Sequence, residues 1–476
     1  MALSPHYVPD PRFASLGTTF FDEVRPARFP DARLRFENRA WAERVGLGEL
    51  EPSEWERHFA RFEPLPDNLP TPLALRYHGH QFDTYNPHLG DGRGFLFAQL
   101  RDDSGRLLDL GTKGSGTTPY SRGGDGRLTL KGGIREVLAT EMLETLGVYT
   151  SKSFSLFETG ESLMRGDEPS PTRSSVLVRL GHSHVRIGSF QRLLYEGNRE
   201  GVAALLDYSV EHLMPELSSH RLRPVAFLRE VSARSARLCA SWLVAGFVHG
   251  VLNSDNMVVT GESFDYGPYR FLPHYDSDFV AAYFDRGGLY AFGRQPRAVF
   301  RNVARLAQCL ALLDPAQAWD HAVEGFVDEL RAARAEALVA RLGLLPEEPD
   351  LDHVLAEAVW DFLGATRLGY DAFFFDWWGG PASSARALEG PRGAAYLTTT
   401  FAPLRRLLEA RRPARPEALG LEYFGRAEPC SLLIDEIEAI WERIASADDF
   451  SAFEAKVRDI REARVALGLA LPKTAP

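Results

Sequence analysis

The sequence predicts an α+β chain of two unequal parts, and three observations carry that prediction. Between residues 75 and 188 short apolar runs (GFLFAQLRD, RLLDLGTKG, SFSLFETG, SSVLVRL) are mostly separated by Gly- and Asp-rich turns, the texture of antiparallel strands joined by hairpins. A single amphipathic helix interrupts them: KGGIREVLATEMLETLG puts Ile134, Val137, Leu138, Met142 and Leu146 along one face before Gly147 ends it. Beyond about residue 188 the pattern turns mainly helical. With 476 residues, 45% of them hydrophobic, the chain can bury a sizeable core.

In order, residues 1–74 are rich in Pro and aromatics, mix short helical patterns such as ENRAWAERVGL with loops, and read as an extension packed on the core. Residues 75–188 form the strand-rich part, with RGDEPSPTRSS as a linker-like break inside it. Residues 189–476 supply successive helical patterns: LLYEGNREGVAALLDYSVEHL, PVAFLREVSARSARLCASWLVAGFVHG, AVFRNVARLAQCLALL, AVEGFVDELRAARAEALVARLGLL and EEPDLDHVLAEAVWDFLGATR. GGPASSARALEGPRGA and ARRPARPEALG read as loops, and the tail LALPKTAP is expected to fray. The aromatic run YDAFFFDWWGG, from Tyr370 to Gly380, is expected in the core.

A net charge of −11 argues against nucleic acid as the default partner, without excluding a local basic pocket. Cys239, Cys309 and Cys430 are widely spaced and suggest neither a disulfide scaffold nor a cysteine zinc site. The N-terminus has no basic start followed by an apolar stretch, and no uncharged run approaches the roughly 20 residues that span a bilayer. A soluble, cytoplasmic protein without a membrane partner is therefore expected. Of 54 basic residues only five are Lys, so a Lys inside a motif is more informative than usual.

The richest stretch is HGVLNSDNMVVTGESFDYG, from His249 to Gly267. Asn256 follows His249 by seven positions and Asp265 follows Asn256 by nine. Kinases read H-R-D-x-x-x-x-N and then D-F-G, and use that Asn and second Asp to hold magnesium. An isolated Asn and Asp would be taken as turn formers; at this spacing, with Gly267 permitting the turn, Asn256 and Asp265 are candidate metal ligands. The kinase base position, two after the His, is held by Val251, which accepts no proton. Asp255 is the nearest carboxylate and the candidate base, although a neighbouring metal ion would pull its pKa down.

Upstream, Lys113 ends an apolar strand and Glu136 sits on the amphipathic helix, the pair with which a kinase-like N-lobe steadies a Lys against nucleotide phosphates. On its own such a pair would be a surface contact worth about 0 to 1 kcal/mol. The tetrapeptide G-D-G-R occurs at Gly90–Arg93 and again at Gly124–Arg127, with Gly114-Ser115-Gly116 between. Each alone is a hairpin turn, but repeated beside Lys113, with Arg122, Arg179 and Arg186 beyond, they make a cationic phosphate pocket. So much Arg suggests a triphosphate held in a different orientation from that in a kinase. His182 and His184, two apart on a strand, are read as packing or polar contacts.

Seven stretches in order, YHGHQFDTYNPHLGDGRG, TKGSGTTPYSRGGDGR, IRE, VRLGHSHVRIGSF, AGFVHGVLNSDNM, FDYGPYRF and GGLYAFGRQP, resemble the selenoprotein O family of protein adenylyltransferases over about residues 21–310. The resemblance implies a bilobal protein-kinase-like fold with an enlarged helical C-lobe. It also implies that ATP binds flipped, so that AMP passes to Ser, Thr or Tyr hydroxyls of protein substrates and pyrophosphate leaves. By similarity Gly90, Gly92, Arg93, Lys113, Asp125, Gly126, Arg179 and Arg186 bind the nucleotide, and Asn256 and Asp265 hold Mg2+ or Mn2+, Asp265 also lying near the nucleotide. Asp255 is then the proton acceptor and Glu136 the partner of Lys113. Many relatives read YAGHQFG and LKGAGRTPYSR where this chain has YHGHQFD and TKGSGTTPYSR, and the cysteine-bearing tail of some is absent. The rival readings are a phosphoryl-transferring kinase and a nucleotide-binding scaffold without catalysis.

Overall fold

The computed structural model describes residues 4–166 and 168–469, so most of the tail expected to fray lies outside the described residues. Strands in chain order are β1 (Val8–Pro9), β2 (Phe21–Glu23), β3 (Arg33–Glu37), β4 (Leu73–Leu75), β5 (Gly79–Gln81), β6 (Thr84–Asn86), β7 (Leu96–Arg101), β8 (Leu107–Lys113), β9 (Leu128–Thr129), β10 (Lys152–Leu163), β11 (Thr172–Gly181), β12 (Phe247–Val248) and β13 (Arg270–Phe271). Helices are α1 (Arg39–Arg44), α2 (Pro52–Phe59), α3 (Leu130–Thr145), α4 (Ile187–Tyr195), α5 (Arg199–Tyr208), α6 (Arg223–Val244), α7 (Gln295–Leu310), α8 (Phe326–Arg341), α9 (Pro349–Ala365), α10 (Tyr370–Asp376), α11 (Ser384–Glu389), α12 (Gly393–Tyr396), α13 (Ala402–Glu409), α14 (Ile434–Ala447) and α15 (Ser451–Leu467).

One nine-stranded antiparallel sheet dominates the N-terminal part, in the order β2-β4-β7-β8-β11-β10-β3, with β1 pairing to β7 and β9 to β11. Residues 1–74, expected as an extension, lay α1 and α2 on this sheet and also contribute strands to it. These strands escape a periodicity search because they are only two to five residues long. Alternation sorts the long strands into two faces. Phe95, Phe97, Leu108, Leu110, Val176, Val178 and Leu180 face Trp41, Trp55 and Phe59 of α1 and α2. Leu96, Leu107 and Leu177 face Ile134, Leu138 and Met142 of α3. Burial on both faces explains why these strands read as unbroken apolar runs.

The chain then turns helical. The long helix α6 packs on α7 and α8, α4 packs on α7, and α9 packs on α8. Gly246, at φ +66°, turns the chain out of α6 into β12, which pairs with β13 and brackets the segment from His249 to Tyr269. The aromatic run around α10 is buried as expected, and all three cysteines are buried and free. GGPASSARALEGPRGA, read as a loop, carries the short helices α11 and α12, each too short to show a helical period. Among the described residues no helix is long and apolar enough to cross a membrane.

The C-terminal helix α15 grips α3, the helix that carries Glu136. Arg461 meets both oxygens of Glu141 at 3.1 Å, and Arg464 reaches Glu141 at 2.9 Å and Glu144 at 3.0 Å. The Glu141 side chain is 2% exposed, while the two guanidiniums keep 44% and 31% exposure. Truncating both, Arg461→Ala with Arg464→Ala, would strand a buried carboxylate. The expected loss is about 2 kcal/mol, below the roughly 3 to 5 of a fully buried pair because the cations are partly solvated. Urea unfolding should show it, and adding Glu141→Leu should recover most of it; an unchanged midpoint would mean the grip contributes nothing.

Candidate active site

A cavity of about 750 Å³ lies between the α3 side of the sheet and the segment after β12. Gly90, Gly92, Arg93, Lys113, Asp125, Gly126, Arg179, Arg186, Asp255, Asn256 and Asp265 all line it, although they come from distant parts of the chain. Strand register explains part of this convergence. Lys113 on β8 stands opposite Leu177 on β11, and Arg179 opposite Gly111, so Lys113 and Arg179 are diagonal neighbours on one face. Residues 185–187 pair with 257–259, which brings Arg186 beside Asp255 and Asn256.

Lys113 is buried between two carboxylates. Its Nζ donates to Glu136 and, at 2.5 Å, to Asp265 Oδ1. Asp265 also accepts from Arg179 Nη1 at 3.2 Å. The enclosing walls push the Asp265 pKa up, but Lys113, Arg179 and Arg93 outweigh them and hold it well below the usual carboxylate range. Asp265 takes φ +66°, a left-handed backbone that Asp tolerates better than most residues, and this conformation turns its carboxylate toward Lys113. His249, buried and kept neutral chiefly by that burial, donates from Nε2 to the Phe264 carbonyl at 3.1 Å and ties the two functional loops together.

The anion-binding capacity of the cavity is only partly spent. Arg186 is buried over the Tyr77 ring at 4.0 Å, and its Nη2 donates to Asp91 at 3.0 Å. Burial works against its charge, yet Tyr77, Asp91, Asp265 and Asp255 raise its pKa on balance. The Nε atoms of both Arg179 and Arg186 are buried without a hydrogen-bond partner among the described residues. Such donors call for an acceptor from outside the chain. Arg93 is exposed on the rim with no carboxylate partner among the described residues. Glycines let the loops close on each other: a Cβ at Gly90 would overlap the Tyr120 ring, and Gly126, at φ +69°, abuts the Gly116 carbonyl.

Asp255 sits in a 3-10 turn, Ser254–Asn256, and is 7% exposed rather than a solvated turn carboxylate. Burial lifts its pKa to about 6, with Arg186 opposing. Its Oδ1 has no hydrogen-bond partner among the described residues. Asn256 donates from Nδ2 to the Val251 carbonyl at 3.0 Å, which leaves its amide oxygen uncommitted among the described residues. Those residues hold no cluster of three or more His, Cys, Asp and Glu side chains fit for a metal. An amide oxygen and a carboxylate beside guanidinium nitrogens without acceptors would fit a hard cation that completes its shell with other oxygens.

Several contributors escape sequence reasoning. Gln81, on the β5–β6 hairpin, lies beside Asp255 and favours its charged form, and on the same hairpin His80 N–H donates to Ser254 Oγ at 2.8 Å. Asp91 anchors Arg186, and the repeated G-D-G-R, of which it is the second residue, was the available signal. Arg165, inside the linker-like RGDEPSPTRSS, pairs with Asp125 at 2.8 Å, so Asp125 is already neutralised. Arg127 is likewise committed to Glu161 at 2.8 Å. His182 and His184 lie just past the end of β11 and make the expected polar contacts, with Tyr149 at 2.8 Å and Asp109 at 3.2 Å.

Known proteins with similar sequences are nucleotidyltransferases. Protein nucleotidyltransferase YdiU of Synechocystis sp. is 43% identical over 95% of this chain and 97% of its own length. Protein nucleotidyltransferase YdiU of Gloeobacter violaceus is 43% identical over 93% of each. That of Trichormus variabilis is 46% identical over 77% of this chain and 75% of its own. Residues 4–461 match the family model described as protein adenylyltransferase SelO, and the chain belongs to that family. It is a nucleotidyltransferase enzyme of the protein adenylyltransferase class.

Proposed function

We propose that the protein transfers AMP from ATP to Ser, Thr or Tyr hydroxyls of other proteins and releases pyrophosphate. The observation that carries this reading is the position of the free carboxyl. Val251 fills the place where a kinase keeps its base, while Asp255, next to Asn256, presents a buried and unpartnered oxygen on the same wall as Arg186. A base moved along the loop suits attack at a different phosphorus of the same triphosphate.

In this reading the sheet with α3 forms a kinase-like N-lobe over residues 75–188, with residues 1–74 laid along it, and residues 189–476 form the C-lobe. Lys113, Arg179, Arg186 and Arg93 neutralise the phosphates, the loops at Gly90–Arg93 and Asp125–Gly126 close over them, and Glu136 holds Lys113 in place. Asn256 and Asp265 hold Mg2+ or Mn2+, which supplies charge neutralisation at the phosphates when bound. The incoming hydroxyl gives its proton to Asp255 as its oxygen bonds to the α-phosphorus. The bond from that phosphorus to the bridging oxygen breaks, and the electron pair leaves with pyrophosphate toward the guanidiniums.

Incubating the enzyme and an acceptor protein with ATP labelled at either the α- or the γ-phosphate tests this directly. Label is expected on protein from the α position alone, with pyrophosphate in equal amount. Label from the γ position alone would make the protein a phosphoryl transferase, and label from neither would leave a nucleotide-binding scaffold.

A further inference from the structure

A second hollow, of about 470 Å³, opens from the nucleotide cavity and shares Arg93, Lys113, Arg127 and Arg165 with it. It runs between the first turns of α3 and two segments of the C-terminal half, Tyr266–Arg270 and Ala281–Phe284. Most of its charges are spent internally: Arg127 on Glu161, Lys131 on Glu438, Arg165 on Asp125, and Lys113 on Glu136 and Asp265.

Besides Arg93, which the hollow shares with the nucleotide cavity, two guanidiniums are not. Among the described residues Arg135 donates only to the carbonyls of Gly267 and Tyr269, each at 3.2 Å, and lies over the Tyr269 ring at 4.7 Å. Arg270 likewise donates, among those residues, only to the carbonyls of Pro268 and Tyr269, at 3.1 and 2.8 Å. Neither meets a carboxylate among the described residues, although both are partly buried. Burial first, and the neighbouring Arg135 next, depress the Arg270 pKa, with Tyr269 and Glu438 opposing more weakly. Glu168 is the one wall carboxylate without a cation partner among the described residues.

The outer lip is apolar. Tyr283 is 81% exposed and Phe284 45%, their rings edge to face at 5.1 Å. Exposed aromatics grouped at the mouth of a cavity mark a contact surface. Phe284 also packs at 5.8 Å on Phe82, the residue after Gln81, so this lip is continuous with the hairpin that covers Asp255.

We propose that this hollow docks an acidic, apolar-flanked segment of the protein substrate. An Asp or Glu near the modified hydroxyl pairs with Arg135 and Arg270, and a neighbouring apolar side chain covers Tyr283 and Phe284. The inference rests on the adenylyltransferase reading and adds the class of sequence it selects. Charge complementarity supports the occupant: on a chain of net charge −11, an unneutralised cationic recess beside the reaction site favours an acidic partner.

The test is direct binding, which needs no turnover. Fluorescence anisotropy on the full chain would compare a labelled peptide bearing one Ser flanked by Asp and Phe with the same peptide carrying Asn for Asp. The Asp peptide is expected to bind at least about tenfold more tightly, and Arg135→Glu with Arg270→Glu should abolish that preference. Arg135→Gln with Arg270→Gln, milder for folding, should weaken it. ATP affinity should change less than about threefold in both double variants. Equal binding of the two peptides overturns the proposal, and so does binding confined to a phosphoserine peptide. A large loss of ATP affinity overturns it too, by assigning the hollow to the nucleotide. Labelled-ATP transfer measured alongside fails separately: a bound peptide that never receives AMP counts against the proposed reaction and leaves the docking intact.

Discussion

Replacing Asp265 with Ala is expected to lower AMP transfer by about a thousandfold or more, because one carboxylate serves three purposes. It balances Lys113 at 2.5 Å, it orients Arg179 at 3.2 Å, and it is the only anionic ligand proposed for the metal. Without it Lys113 would swing wholly to Glu136, and Arg179, whose Nε is already bare, would lose its orienting acceptor as well. The backbone adds a smaller effect: at φ +66° Ala costs about 1 kcal/mol more than Asp, whose side chain suits that conformation. Asp265→Asn separates the two, since Asn tolerates the backbone but brings no charge. Both variants should lose metal-dependent transfer, measured as initial rates with α-labelled ATP across a Mg2+ and Mn2+ series, and only Ala should also lose stability. A wild-type rate in either variant removes the metal assignment.

Lys113, Glu136, Asn256 and Asp265 were legible because each lies in a local pattern that a single sequence preserves: a strand end, a helix face and a fixed spacing after His249. The strand-helix-strand order that positions them was legible for the same reason, the runs being long enough to show a period. What stayed hidden was set by contacts between distant parts of the chain. The bond from His80 to Ser254 spans 174 positions, and no local pattern announces that the hairpin bearing Gln81 folds over Asp255. The Arg residues failed differently. Composition marked a cationic pocket, but only the structure shows that Arg127, Arg165, Arg179 and Arg186 all meet carboxylates and that, among the described residues, Arg179 and Arg186 still keep a buried Nε without an acceptor. In an acidic chain that distinction matters more than the count, because an unmade hydrogen bond is what an incoming anionic oxygen can complete.

Asp255→Ala is expected to cut turnover by about a hundred- to ten-thousandfold while leaving ATP affinity within about threefold, the pattern of a lost general base. The expectation follows from what surrounds the carboxyl. Among the described residues its Oδ1 meets no donor, so removing it breaks no bond at that oxygen, and the groups that favour its charged form, Arg186, its own backbone N–H and Gln81, are not themselves displaced. Arg186, the cation that most opposes its pKa rise, keeps Asp91 at 3.0 Å and so stays in position for phosphate. A purely structural carboxylate would behave differently: its loss would free the β5–β6 hairpin, expose Tyr77 beneath Arg186 and weaken nucleotide binding with turnover. Equilibrium ATP binding measured beside steady-state transfer distinguishes the two, and Gln81→Ala, which spares the carboxyl, should give a smaller loss of the same kind. An unchanged rate in Asp255→Ala would remove the base from this mechanism. A matched fall in affinity and rate would recast Asp255 as a strut for the hairpin, and another group would then have to accept the proton of the incoming hydroxyl.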